Sequence, residues 1–141
     1  MASLEDPDVR TFLEHGTRTG KLAYTGANGK PLVAPIWFVL DGQQLLFNTR
    51  SGTAKGRALR RDPRVALSVD LERPPYAFVQ VQATASLSED PSELLRTATT
   101  IARRYMGDER AEEFGRRNAT ADELVVRLQP TKVLAEFDMT A

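Results

Sequence analysis

The chain has 141 residues and a mass of 15.6 kDa; 41% of residues are hydrophobic and 27% charged, and 19 basic residues balance 19 acidic ones. The lack of cysteine excludes disulfides, thiolate metal sites and cysteine nucleophiles, and one histidine, His15, is too few for a histidine metal cage or an ordinary Ser–His triad. Balanced charge favours neither nucleic acid nor membrane as partner. No apolar run nears the roughly 20 residues that span a bilayer, and residues 1–6 lack a signal-peptide pattern, so a soluble cytoplasmic protein is expected.

Asp6-Pro7 suits the start of a helix, Val9, Phe12 and Leu13 share one helical face, and Gly16 offers a stop; a short helix is predicted over 7–15. A strand over 21–25 leads to Asn28-Gly29, a hairpin signal because both residues tolerate positive φ. A long apolar strand returns over 31–40, turns at Asp41-Gly42, and a third strand follows over 45–48. Pro35 cannot donate to a ladder and marks an edge, a bulge or backbone facing a ligand.

Residues 51–61 change to a helical stripe of Ala54, Ala58 and Leu59 that Asp62-Pro63 ends. A strand is predicted over 65–71, a corner at Pro74-Pro75, and a long alternating strand from Tyr76 toward Leu87, with Gln80 and Gln82 on one face. Asp90-Pro91-Ser92-Glu93 starts a helix that runs to Gly107, residues 108–114 add a short polar helix, and strands over 124–128 and 133–137 close the chain, broken at Gln129-Pro130. About six or seven strands joined by tight turns, with two or three helices, predict a mainly β protein built as an antiparallel barrel or sandwich in a single domain over 1–141, its core at about 13–137.

Between residues 50 and 64, six cations (Arg50, Lys55, Arg57, Arg60, Arg61 and Arg64) face the single acid Asp62. Thr49, Ser51, Gly52 and Thr53 precede the helix, and free N–H groups at a helix start beside a lysine bind phosphate. A solvated basic face is the competing reading. The segment holds no aromatic residue, which argues against single-stranded nucleic acid. Gly16 to Lys21 is no Walker loop, since three residues separate its glycines and Leu22 follows the lysine. Trp37 is either a core residue or a flat wall beside a ring; Gln80 and Gln82 are either a solvent face or contacts to a ligand edge. His15 reads as a surface residue, and no carboxylate pair is placed for acid–base work.

These elements in this order resemble the pyridoxamine 5'-phosphate oxidase-like split-barrel superfamily. The residues that carry the resemblance are Gly20-Lys21-Leu22-Ala23-Tyr24-Thr25, the turn Asn28-Gly29-Lys30-Pro31, Val33-Ala34-Pro35-Ile36-Trp37-Phe38 and Leu46-Phe47-Asn48-Thr49. The most specific part is Ser51-Gly52-Thr53-Ala54-Lys55-Gly56-Arg57 followed by Leu59-Arg60-Arg61-Asp62-Pro63-Arg64-Val65. Members bind FMN, haem or coenzyme F420, and the Pro-Ile-Trp strand with the Arg-rich helix is most similar to the deazaflavin-dependent reductases of actinobacteria. The Arg-x-x-Leu-Leu-Lys pattern of true pyridoxamine phosphate oxidases is missing: the matching stretch has no cation, which argues against FMN oxidase chemistry on pyridoxal compounds.

The resemblance implies an antiparallel split β-barrel and a homodimer with coenzyme F420 at its interface. Lys55 and the turn of Asn48, Thr49, Ser51, Thr53 and Ala54 would hold the phosphate, assisted by Arg57, Arg60 and Arg61. Val33, Ala34, Pro35, Ile36 and Trp37 would line the deazaflavin ring, and Gln80 and Gln82 would complete the pocket, from this or the other subunit. The implied activity is hydride transfer to a conjugated, electron-poor small molecule, with Tyr76 a candidate proton donor. The alternatives are a non-enzymatic F420-binding or storage protein and an FMN-dependent reductase.

Overall fold

The computed structural model describes residues 2–141. Seven antiparallel strands form one sheet in the order β2-β1-β5-β6-β7-β4-β3. They are β1 (Gly20–Thr25), β2 (Pro31–Ile36), β3 (Val39–Asp41), β4 (Gln44–Arg50), β5 (Arg64–Asp70), β6 (Phe78–Ser88) and β7 (Glu123–Glu136). The two outermost strands, β2 and β3, are consecutive in the chain. The sheet thus curls into a barrel whose seam is crossed by Trp37 and Phe38 instead of by a ladder. Four α-helices accompany it: α1 (Pro7–Glu14), α2 (Ala54–Arg61), α3 (Pro91–Met106) and α4 (Ala111–Asn118).

The predicted 31–40 strand is divided. Its first part pairs with β1 across the Asn28-Gly29 turn, where φ is 62° and 76°; its second part pairs with β4 across the turn at Gly42. Pro35 sits on β2, an edge strand, where its missing N–H breaks no interior ladder. The two predicted closing strands are one. Pro130 is accommodated at a bulge, where Gln82 pairs with Lys132 and Ala83 with Pro130; Thr131 is the extra residue, and its hydroxyl donates to the Gln82 carbonyl at 3.1 Å. β6 begins only at Phe78, because Tyr76 takes φ 57°. The helices number four among the described residues, not two or three: the polar stretch after Gly107 is a 3-10 turn at Asp108–Arg110 followed by α4.

Alternation sorts β4 and β7 onto two faces. Leu45 and Phe47 of β4 and Val126 and Leu128 of β7 enter the barrel core, which α1 joins through Val9 and Leu13 and α2 through Leu59. Leu46 and Val125 face the other way and pack with Leu94 and Ile101 of α3 and with Val39. The outer face of β2-β1-β5-β6 carries small and polar residues in register. One row is Val33, Ala23, Ala66 and Gln82; the next is Pro35, Lys21, Ser68 and Gln80.

Candidate functional site

Asn48 follows Leu46 on the α3-facing side of β4, one step beyond the packed apolar cluster. The space there is a cleft of about 320 Å³. Pro35, Ile36 and Trp37 form one wall, Ala98 and Ile101 of α3 another, and Asn48, Lys55, Asn118 and Glu123 supply the polar lining. Both the nitrogen and the oxygen of the Asn48 carboxamide are buried without a hydrogen-bond partner among the described residues. An unsatisfied buried polar group costs about 1–3 kcal/mol, so the Asn48 amide is a local cost built into the wall of the cleft.

Lys55 reaches the cleft because α2 lies hard against the turn before it. Thr53 caps the helix, its hydroxyl accepting from Gly56 N–H at 3.1 Å and donating to the Arg50 carbonyl at 2.8 Å. A side chain on Gly56 would meet the Arg50 carbonyl at 2.4 Å, so only glycine permits this approach. Burial holds the Lys55 ammonium below its ordinary pKa, an effect that the Glu123 carboxylate opposes. Glu123, 12% exposed, is raised by its own burial, with Arg50, at 3.5 Å, opposing. The cleft therefore sets a cation, an anion and an unbonded amide around an apolar wall.

Trp37, left open between core and wall by the sequence, is 42% exposed and lies on the cleft. Tyr105 stacks on it, and the Tyr105 hydroxyl donates to the Arg18 carbonyl at 2.9 Å and accepts from Phe38 N–H at 3.2 Å. Next to it, Arg104 donates to the carbonyls of Leu13 (2.7 Å), Phe38 (2.7 Å) and Gly16 (2.9 Å). Two adjacent side chains of α3 thus tie down the seam that carries Trp37.

Of the residues singled out in the sequence, Pro35, Ile36, Trp37, Asn48 and Lys55 meet in this cleft. Ser51, Thr53, Ala54 and Arg57 lie in the turn and first residues of α2 on either side of Lys55 and do not line the cleft; the Arg57 guanidinium donates to the Gly52 carbonyl. Arg60 and Arg61 lie further along α2, Arg60 paired with Glu89 at 3.1 Å. Thr49 is 6% exposed and alternates to the opposite face of β4. Val33, 68% exposed, and Ala34 belong to edge strand β2. Gln80 and Gln82 lie on the outer sheet face, joined by a 3.0 Å hydrogen bond, and Gln82 lines a separate groove of about 610 Å³ with Ala23, Ala66 and Arg64. Tyr76 lies before Phe78, at the opposite end of β6 from the row Ser88–Val125–Asn48, and lines neither the cleft nor that groove. His15 is exposed at the end of α1.

Sequence reasoning missed Asn118, Glu123 and the support from Tyr105. Ala98, Ile101 and Tyr105 are visible as the apolar face of a helix, but which strand that face covers is not. Glu123 has no local signature: its meaning comes from pairing opposite Arg50 across β4 and β7.

The sequence model of the family described as pyridoxamine 5'-phosphate oxidase matches residues 6–136. No curated protein matches the chain. Among solved structures, a conserved hypothetical protein of Mycobacterium tuberculosis superposes with a TM-score of 0.82 at 24% identity, covering 98% of this chain and 85% of that one. A structure titled F420 reductase gives 0.73 at 25% identity, covering 92% and 98%. The heme storage protein of Vibrio cholerae gives 0.75 at 22% identity, covering 96% and 98%.

Proposed function

Because the chain belongs to the pyridoxamine 5'-phosphate oxidase family, we propose that it is a flavin-type oxidoreductase whose cofactor is coenzyme F420, acting on a conjugated, electron-poor small molecule. The observation that carries this reading is the cleft itself, where Lys55 and an unbonded Asn48 amide stand beside the Trp37 wall. The likeness to the F420 reductase, over nearly the full length of both chains, supports it.

The residues present fit such a cofactor in parts. A cleft of about 320 Å³ is at the small end of the roughly 300–1,000 Å³ of small-molecule sites, so it takes a ring and leaves the rest outside. Arg50 and Arg57, which flank Lys55 in the chain, with the N–H groups at the start of α2, suit a phosphate and an anionic tail. When bound, the reduced deazaflavin would supply a hydride to the acceptor. The chain's own part is to hold, orient and shield: Trp37 and Pro35 offer a flat wall, and Ala98 and Ile101 exclude water behind it.

We place the site in a homodimer. The outer face of β2-β1-β5-β6 exposes Val33 beside small residues, and Gln80 and Gln82 on that face are suited to reach a partner's cleft. A haem-storage role, as in the V. cholerae neighbour, finds less support: the single imidazole of His15 lies away from the cleft and offers no axial ligand there.

Titration of the purified protein with coenzyme F420 and with FMN, followed by absorbance and fluorescence, tests the reading. Tighter binding of coenzyme F420 is expected, and equal or tighter binding of FMN overturns it in favour of an FMN-dependent reductase. Turnover of a panel of conjugated enones with reduced coenzyme F420 separates a reductase from a storage protein.

A further inference from the structure

Glu123 opens β7 directly across the ladder from Arg50 of β4, and their side chains pair at 3.5 Å. Lys55 of α2 lines the same cleft as Glu123. Among the described residues the Lys55 ammonium has no salt-bridge partner, whereas Arg50 and Glu123 have each other. The remaining walls of the cleft bring no charge: α3 contributes Ala98 and Ile101, α4 contributes Asn118, and β2 with the seam contributes Pro35, Ile36 and Trp37. On its own strand, Glu123 is preceded by Asp122, whose carboxylate accepts from the Thr120 hydroxyl at 2.6 Å.

An anionic group that enters to meet Lys55 therefore also meets Glu123. With the Glu123 carboxylate ionised, Arg50, Lys55 and Glu123 together carry a single positive charge and Arg50 is engaged; with it protonated they carry two, and Arg50 is released from its pair. Glu123 is 12% exposed, so its charge is poorly screened, and a ligand that excludes solvent from the cleft screens it less still. Burial already raises the Glu123 carboxyl above its ordinary value; Arg50 and Lys55 oppose the rise and Asp122 adds to it. A bound anion pushes in the same direction as burial.

We propose that Glu123 is a proton-controlled gate on the cleft: an anionic ligand that reaches Lys55 binds with uptake of a proton from solvent onto the Glu123 carboxylate, and it binds more weakly once that carboxylate stays ionised. The proposal rests on the cofactor reading above for the ligand and adds to it the coupling between ligand charge and pH.

The test uses the full chain with coenzyme F420 and, in parallel, with FMN. Calorimetry near pH 7 in two buffers of different ionisation enthalpy counts the protons exchanged on binding. Protons belonging to the ligand appear with wild type and with Glu123→Gln alike, so the difference between the two proteins belongs to Glu123; wild type is expected to take up more, by as much as one proton. The affinities should agree within about twofold at pH 5, and wild type should fall behind Glu123→Gln as pH rises, by at most about tenfold per pH unit, the limit for one linked proton, reaching at least about fivefold at pH 8. Without any variant, an infrared difference spectrum of wild type at pH 7 should gain a protonated-carboxyl band when ligand is added. Equal proton counts, an affinity ratio that does not vary with pH, or no such band overturns the proposal. So does weaker binding by Glu123→Gln at every pH, which would mean that the carboxylate serves the ligand by keeping Lys55 charged. If wild type binds neither cofactor, the cofactor reading falls and the gate with it; binding with no difference between the two proteins removes the gate alone.

Discussion

Trp37 and Tyr105 lie with ring centroids 4.9 Å apart and planes 6° from parallel, although 68 positions separate them in the chain. The stack joins the barrel seam to α3. Trp37 stands where β2 ends and β3 begins, a stretch outside the ladder, so its position depends on side chains. Arg104 and Tyr105 provide them, satisfying the backbone of Phe38, Arg18, Leu13 and Gly16. The wall of the cleft is therefore as firm as these two residues make it.

Tyr105→Phe tests this support. It keeps the ring and removes the hydroxyl that serves Phe38 N–H and the Arg18 carbonyl. Leaving part-buried backbone groups unpaired costs about 1–3 kcal/mol. Urea unfolding should show that loss, and Trp37 fluorescence should become more quenchable by iodide. Unchanged stability and quenching would mean that the seam holds Trp37 without the hydroxyl.

Gly56→Ala should destabilise the protein, although alanine is the better helix former by about 1 kcal/mol. The new methyl would lie 2.4 Å from the Arg50 carbonyl and 3.0 Å from the Ser51 carbonyl, both backbone atoms that cannot step aside. The helix must retreat from the turn, carrying Lys55 with it. A lower melting temperature and weaker cofactor binding are expected together; a rise in melting temperature would show that the contact relaxes freely.

Much of the fold was legible because it rests on local signals. Asn28-Gly29 gave the hairpin, Thr53 and Asp62 bounded α2, and Asp90 caps α3 by accepting from Ser92 N–H. The seam was not legible. Nothing in residues 31–40 says that one apolar run serves two partners, since that depends on where the barrel fails to close. The bulge at Thr131 was hidden too, because Pro130 reads as a break unless its cross-strand partners are known. For the site, Lys55 and Asn48 stood out through the motif around them, whereas Glu123 acquires a role only when β7 pairs with β4 and α3 covers both.

Glu123 should make stability depend on pH. Its burial raises the carboxyl above the ordinary value, so the folded state holds a proton that the unfolded chain has released. Folding is then favoured as pH falls through that window, and the benefit is lost as pH rises through the raised folded value. Glu123→Gln removes the titration. Against wild type it should gain most near neutrality, and the gain should shrink as pH drops into the usual carboxylate range. Urea midpoints at several pH values between 4 and 8 measure the difference, and a gap that does not vary with pH would contradict the assignment.

Lys55→Ala should weaken cofactor binding without unfolding the protein. Removing a charged hydrogen-bond partner costs about 1.5–3 kcal/mol, or roughly 10- to 150-fold in affinity. Burial already disfavours the Lys55 ammonium, so its loss should not lower the melting temperature. Arg103→Ala is the control: Arg103 pairs with Asp108 at 3.5 Å and does not line the cleft. Equal effects of the two variants would reduce Lys55 to a charge with no part in the site.

The homodimer is tested at Val33. This residue is 68% exposed in the middle of edge strand β2, beside Ala23 of β1, on a face that continues through Ala66 to Gln82. A lone apolar residue there needs no explanation, but a row of small side chains next to it allows another sheet to approach closely. Val33→Asp places a charge in that row and removes almost no core contact, so the isolated chain should fold as before. If this face joins two copies, burying an unpaired carboxylate at the contact becomes prohibitive. Sedimentation should then show wild type as a dimer at micromolar concentration and Val33→Asp as a monomer with the same circular dichroism spectrum. The monomer should also bind coenzyme F420 more weakly, since Gln80 and Gln82 of a partner would no longer reach the cleft. A wild-type monomer with cofactor bound would remove the dimer, and a Val33→Asp dimer would move the interface elsewhere.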